Sequence, residues 1–347
     1  MKKKSLSAKK TIHSLIVRHL KNKKILKIFN SFESLLLSNV KQKKIAVAVS
    51  GGPDSLALAF LAKCISVIHK FEVKFFIVDH KLRENSSKEA NDVKSFLKKF
   101  DINCQILKWH KIKPKSNIQS IARKNRYDLL AIACKKNNIQ NLLLGHHSDD
   151  AYENFFIRLF RGSGLKGLTS FGEIFKEQNT GILYLRPLIK FEKKDLIYLT
   201  NKIFKFYIND PSNKNVHFQR SRIRELLKNL KKEGFDKKKF NLTIKNLKAS
   251  NDSITFYVNK NIKSNSKFMK NRNAYFLKKR FFYESEEVIF RSFSYVIKHI
   301  GNKYYSSRGK SIISVINKIK SSKFQKVTLG GCIIEKINET ILITKES

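Results

Sequence analysis

Acidic residues are scarce in this sequence: 27 Asp and Glu stand against 72 Lys and Arg, a formal net charge of +45. Solubility asks a small domain for a net charge of only about 2 to 8 in magnitude. The excess implies a polyanionic partner, either nucleic acid or an anionic membrane surface, with nucleic acid the favoured one. A bias towards Lys and Asn across the genome is the plainer source of part of it. Cysteine is sparse as well: Cys64, Cys104, Cys134 and Cys332 are far apart and form no C-x-x-C. That spacing argues against a zinc ribbon, a redox pair or a secreted disulfide framework, and it implies a reducing compartment. Long apolar runs are missing. No stretch reaches the ~18 apolar residues of a membrane span, and the basic N-terminus, MKKKSLSAKKTIHSLIVRHLKNKK, lacks a signal peptide's continuous apolar core. The expectation is a soluble cytoplasmic protein with no membrane partner. There is no internal repeat and no long Gly/Ser or Pro linker.

Apolar residues make up 41% of the chain, enough for a globular core, and 347 residues admit two or three domains. Between about 25 and 210, short apolar runs alternate with helix-length segments, the pattern of a parallel sheet covered on both faces. Strands are expected at Ile45–Val49, Val73–Val78, Cys104–Trp109, Leu142–Leu144 and Ile182–Leu185. Helices are expected over 26–37, 54–69, 87–99, 118–137, 149–160 and 192–205. Ser86 and Glu89 fit a capping box. Beyond Asp210-Pro211-Ser212-Asn213 the character changes to dense Lys and Arg. A helical stretch near 284–299, a basic loop around Arg308-Gly309-Lys310 and a hairpin near 326–344 turned by Gly330-Gly331 follow. This divides the chain into a basic N-terminal extension with a leading helix (1–40), an α/β domain (41–215), and a smaller, basic, mostly helical and α+β region (216–347).

The first strand stops at Ser50-Gly51-Gly52-Pro53-Asp54-Ser55 and runs straight into a helix. Such a junction lines up backbone N–H groups at the positive end of the helix, where an anion belongs. The glycines permit close approach, Pro53 suits the first turn, and Ser50 and Ser55 add hydroxyls. No G-x-x-x-x-G-K-[ST] is present, so this is not the loop that grips β- and γ-phosphates with a lysine. Asp54 stands instead, and a carboxylate beside a phosphate calls for a metal or a cationic substrate group. A dipole-stabilising Asp in an ordinary Gly-rich turn is the alternative.

The S-G-G-x-D-S loop resembles the pyrophosphate loop of the N-type ATP pyrophosphatases, the PP-loop family of Rossmann-like fold. Further motifs follow in order: Val78-Asp79-His80-Lys81-Leu82-Arg83, Ala122-Arg123 with Arg126-Tyr127, Gly145-His146-His147-Ser148-Asp149-Asp150 with Glu153, Arg161-Gly162-Ser163-Gly164, and Arg186-Pro187-Leu188. Asp210-Pro211-Ser212-Asn213, Phe218, Arg220, Ile223 and Arg224 continue the series, and Thr328-Leu329-Gly330-Gly331-Cys332 is a weaker C-terminal echo. This series resembles the tRNA(Ile)-lysidine synthetase branch of the family. The acidic motif there more often reads D-D-Q-x-E-T, where this chain has Ala151 and Asn154, and Ser221 sits where Asn is frequent. These departures bear on fine positioning and remove no carboxylate or arginine that the chemistry needs.

The resemblance implies ATP-dependent ligation of free L-lysine to C2 of the wobble cytidine in a CAU-anticodon tRNA(Ile), through an adenylated cytidine. It implies ATP and Mg2+ as cofactors. Asp54, Asp150 and Glu153 become the catalytic candidates, with Asp54 and Asp150 also able to hold the metal. Asp150 and Glu153 share a helical face, and an ordinary acidic first turn is the alternative for them. Ser50, Gly51, Gly52, Pro53, Asp54, Ser55, Asp79, His80 and His146 are expected around the nucleotide, although His80 also suits a satisfied strand end and a backbone-bracing role suits His146 equally well. Adjacent His146 and His147 point different ways and have no third ligand at zinc spacing. Arg123, Arg126, Arg220, Arg222 and Arg224 are expected to contact tRNA, with a solvated basic face the alternative for Arg123 and Arg126. A homodimer stays open, as do a sulfur-transferring tRNA modifier and a non-catalytic RNA-binding protein.

Overall fold

The computed structural model describes residues 14, 17–82, 84–109, 118–177, 180–208, 219–303, 307–321 and 324–346. Arg83, Asp210-Pro211-Ser212-Asn213, Phe218 and most of the first 16 residues lie outside them. The chain forms two compact units, Met1–Gly234 and Phe235–Ser347.

The first unit is built on a six-stranded sheet ordered β3-β2-β1-β4-β6-β5. Its strands are β1 (Lys44–Val49), β2 (Glu72–Asp79), β3 (Cys104–Lys108), β4 (Asn141–Leu143), β5 (Ile174–Lys176) and β6 (Leu183–Leu185). All neighbours are parallel except the edge strand β5, which runs antiparallel to β6. In the central strand, Ile45, Ala46 and Val47 are fully buried, as covering both faces requires. Helices α1 (Lys23–Asn39), α2 (Pro53–His69), α3 (Ser86–Lys98) and α7 (Lys193–Ile203) contribute to one apolar core. The helix α4 (Ile118–Lys136) packs into a second core with Ala46, Phe76 and Tyr184.

The helix α1 belongs to this unit and is not an appendage. Ile25, Ile28, Phe29, Phe32 and Leu36 recur on one face and are buried. Asn22 caps it, accepting from the N–H groups of Lys24 and Ile25 at 3.0 and 3.2 Å. At the other end of the unit, α5 (Ser148–Leu159), the short α6 (Leu165–Leu168) and α8 (Gln219–Lys232) complete it. Ile223 of α8 is buried, so α8 extends the unit to Gly234, beyond the expected boundary at 215. The capping expectation at Ser86 also fails. α3 starts after Asn85, and the Ser86 hydroxyl turns back to donate to Asp79 Oδ1 at 2.9 Å.

The second unit has its own core. The helices α9 (Lys237–Asn265), α10 (Glu286–Gly301) and α11 (Gly309–Lys320) accompany an antiparallel sheet ordered β7-β8-β11-β10-β9. Those strands are Ser266–Met269, Ala274–Leu277, Lys326–Leu329, Cys332–Ile337 and Thr340–Lys345 in chain order. The expected basic loop at 308–310 is instead the start of α11, with Arg308 at its N-cap.

The order of the first sheet places the site. From β1 the chain steps outward through β2 and β3, then returns to add β4 on the opposite side of β1. The reversal opens a crevice beyond the carboxyl ends of β1 and β4.

Candidate active site

The Ser50–Ser55 turn leaves β1 at this crevice. Gly51 has φ +82°, and a Cβ there would lie 2.7 Å from Val93 Cγ2, so only glycine fits. Its carbonyl accepts the Ile208 N–H at 2.9 Å. Ser55 Oγ ties the turn together: it accepts from the Ser50 N–H at 3.0 Å and the Ser50 hydroxyl at 3.2 Å, and donates to Gly52 O at 3.0 Å. Pro53 occupies the first helical position. The Asp54 and Ser55 N–H groups precede the first intrahelical bond, from the Leu56 N–H to Gly52 O at 3.0 Å, and both residues line the crevice.

The turn after β4 meets this loop. A Cβ on Gly145 would lie 3.1 Å from Asp54 O and 3.2 Å from Ser55 Cα, so the bare backbone there permits the contact. His147 follows and is buried, its Nε2 lying 3.6 Å from Asp54 Oδ2 and 3.5 Å from Asp150 Oδ2. Its backbone N–H donates to Asp150 Oδ2 at 3.0 Å, and Nδ1 lies 3.8 Å from Asp149 Oδ2, an ion-pair rather than hydrogen-bond distance.

The two facing carboxylates are tuned apart. Burial raises Asp54, only partly offset by the charges of His147 and Lys193. Burial also acts to raise Asp150, but the neighbouring His147 and His146, the His147 N–H and Arg220 together outweigh it and hold that carboxyl below its ordinary value. Asp54 Oδ1 is buried without a hydrogen-bond partner among the described residues. No cluster of three or more His, Cys, Asp or Glu among those residues makes a complete metal site.

A single cavity of about 770 Å³ collects most of the expected residues. Ser50, Gly52, Pro53, Asp54 and Ser55 line its floor, and Asp150 stands beside them. Asp79, His80 and His146 form a second wall. Arg123, Arg126, Arg220 and Arg224 also face it. Gly51 and Arg222 are not among the lining residues, and Arg222 is exposed. Glu153 departs from expectation. It is 2% exposed and absent from the cavity lining, because both carboxylate oxygens pair with Arg224, at 2.5 Å to Nε and 3.3 Å to Nη2. The two-point pairing holds α8 against α5.

Asp79 braces the loop after β2. Its oxygens accept from the Lys81 N–H at 3.0 Å, the Ser86 hydroxyl at 2.9 Å and the Ser87 hydroxyl at 2.5 Å. Burial acts to raise it, and these three donors together outweigh that and lower it. His80 is kept neutral by burial first and Arg126 second, its value falling to about 4. Arg123 and Arg126 lie 5.0 and 5.6 Å from the centre of the Tyr127 ring, and Arg123 Nη2 donates to the Tyr127 hydroxyl at 3.1 Å.

Sequence reasoning missed His147 as the residue between the carboxylates, because adjacency to His146 said only that the two rings diverge. It also missed Lys193, which lines the cavity from the start of α7. Nothing in a Lys-rich chain singles that position out. All four cysteines are buried, and burial pushes the Cys104 and Cys134 thiols up to about 12.

A Ser-Gly-Gly-x-Asp-Ser turn at the switch point of a parallel sheet, with paired carboxylates beside it, is the arrangement of a PP-loop protein. The PP-loop domain family accordingly matches residues 19–230. Within that class the chain belongs to the tRNA(Ile)-lysidine synthase family. It is 36% identical over 309 residues to the tRNA(Ile)-lysidine synthase of Wolbachia pipientis wMel, covering 88% of this chain and 71% of the relative. It is also 36% identical over 312 residues to that of Orientia tsutsugamushi (strain Boryong), covering 87% and 70%. The fold is shared with the U34-tRNA thiolase NcsA from Methanococcus maripaludis, at a TM-score of 0.50 and 19% identity over 60% of this chain and 74% of that one. The chain is thus a ligase-type enzyme with a PP-loop domain for ATP.

Proposed function

We propose that the cavity performs both halves of lysidine formation, adenylation of the wobble cytidine and its displacement by lysine. Cytidine O2 is a poor leaving group until it is joined to the α-phosphate of ATP. Its attack there expels pyrophosphate, and the first-turn N–H groups after Pro53 receive the charge that builds on the departing group. Asp54 and Asp150 are the residues that would hold Mg2+, and the ion would neutralise phosphate charge. Asp150, held ionised, then attracts the lysine ammonium. Free lysine titrates near 10.4, so a carboxylate within reach must take a proton as the amine attacks C2. AMP leaves with the electrons of the broken C2–O2 bond.

The observation that carries this reading is the contact through Gly145, which sets the anion loop and the acid pair on one cavity. Arg123, Arg126 and Arg220 on its walls suit the phosphates of an incoming anticodon loop. Buried, unpaired cysteines speak against sulfur transfer. The test combines ATP, labelled lysine and unmodified CAU-anticodon tRNA(Ile). Lysine incorporation with pyrophosphate release is expected, and Asp54→Ala or Asp150→Ala abolishes ligation while tRNA binding persists. Normal ATP binding without incorporation, or full activity in either variant, refutes the reading.

A further inference from the structure

Arg186 follows β6 and is 5% exposed, a costly place for a guanidinium. Its charge is met by two rings, Phe171 at 4.3 Å and Phe175 at 4.4 Å from its central carbon. Phe175 is itself stacked on the fully buried Tyr184, with centroids 4.6 Å apart and planes 7° from parallel. Arg186 Nη1 donates to Gly172 O at 2.7 Å. Sandwiched and tethered, the fork has one orientation, and in it Nε donates to His146 Nδ1 at 3.3 Å.

Arginine has no acceptor atom and stays protonated. The direction of this hydrogen bond is therefore settled: His146 Nδ1 is bare. We propose that Arg186 is a positioning residue that fixes His146 in its Nε2–H tautomer, making it an obligate donor to an oxygen of the reacting nucleotide in the cavity. The choice of nucleotide rests on the function proposed above; the tautomer does not.

Several observations support it. His146 lines the cavity, and Nε2 has no hydrogen-bond partner among the described residues and is not among their buried unpaired atoms. The ring stays neutral, because burial, against the pull of Asp150 and aided by Arg186, lowers it to about 3. A neutral ring with a bare Nδ1 carries its proton on Nε2. Phe171 meets the imidazole edge-on at 5.4 Å and 77°, which resists a ring flip. His146 thus cannot take a proton from lysine at the cavity side. It can only give a hydrogen bond, to a non-bridging α-phosphate oxygen or to the carbonyl of the extruded pyrimidine.

The full-length protein with 15N-labelled histidine, compared with His146→Ala for assignment, tests this by long-range 15N–1H correlation. At pH 7 the expected pattern is a pyridine-like Nδ1 and a pyrrole-like Nε2, persisting to about pH 4, with Arg186→Met giving mixed tautomers. In ligation assays, Arg186→Met and His146→Ala each lower kcat, by about 10² to 10³ for loss of one aligned donor. The double variant is no worse than His146→Ala alone. His146→Gln, whose amide N–H replaces the Nε2 donor, retains activity and is insensitive to Arg186→Met. Weakened ATP binding in Arg186→Met assigns the acceptor to ATP, and weakened tRNA binding assigns it to the cytidine. An Nδ1–H ring or an imidazolium at pH 7, or multiplicative losses in the double variant, overturns the proposal. If Arg186→Met does not fold, the wild-type spectrum decides alone. A protein that ligates no lysine removes the functional reading and leaves the tautomer result intact.

Discussion

Asp54 and Asp150 bring like charges into one corner, where burial raises the first while His147 and its N–H lower the second. That division leaves Asp150 the more readily ionised of the two, while a cation beside Asp54 favours its charged form. Gly145 sets their spacing. Gly145→Ala puts a methyl 3.1 Å from backbone that cannot swing away. The expected result is destabilisation of about 1–3 kcal/mol and a roughly 10²-fold loss of kcat/KM from displaced reacting groups, read by urea melts and ligation kinetics. Wild-type kinetics in this variant would show that the contact between the two turns is dispensable. His80 and His146 make a second prediction. Both are held neutral, at about 4 and about 3, whereas an unfolded histidine titrates near 6.5. Between these values the unfolded chain binds more protons, so stability falls as pH drops through the window from 6.5 to about 3. The melting temperature should fall less steeply below pH 6.5 in His80→Gln than in the wild type, and identical slopes would contradict the buried-neutral assignment. At this scale the motifs made Asp54 and Asp150 legible, since each lies within a short contiguous pattern. The Glu153–Arg224 pair was not, because its partners are 71 residues apart and only the fold joins them.

Among the elements, α2 and β1 were readable because their burial is nearly complete and their boundary residues are Gly52 and Pro53. The edge strand β5 was not: it is as short as β4 and β6, but none of its residues is fully buried, so it lacks the apolar run that marks those two. The 29-residue α9 was missed for a different reason: only Val258 and Asn261 are buried along it, so it carries no wide apolar stripe. α8 is the element on which the site most depends, since it brings Arg220 and Arg224 to the cavity. It is held by Ile223 in the core, by Glu153 on Arg224 and by a 2.7 Å hydrogen bond from Arg161 to Gln219. Glu153→Ala should cost about 1–3 kcal/mol, less than a fully buried pair because Arg224 keeps some solvent. It should also raise amide exchange in α8 while β1 and β2 stay protected. Glu153→Gln, which keeps an acceptor for Arg224, should retain far more ligation activity than Asp150→Asn. Equal inactivity of the two would return Glu153 to the role of proton acceptor.

For the whole molecule the open question is what the net charge of +45 does. The second unit holds 24 Lys and Arg against 8 Asp and Glu, and the first unit 48 against 19, so the excess is spread over both. A composition bias and a tRNA-binding surface distribute charge alike in sequence, which is why sequence could not separate them. They differ in thermodynamics. Cations that rest on phosphates release condensed counterions on binding, and log K then falls linearly with log salt at a slope of about −0.9 per contact on duplex. Six to ten such contacts lose roughly 10³ to 10⁵ in affinity between 50 and 200 mM salt. Cations that merely sit on the surface release nothing. Binding of unmodified tRNA(Ile), titrated across that range, should therefore fall steeply, and ATP binding to the cavity, with far fewer phosphates to neutralise, far less. A tRNA slope as shallow as that for ATP would assign the charge to composition and leave recognition to the few arginines at the cavity wall.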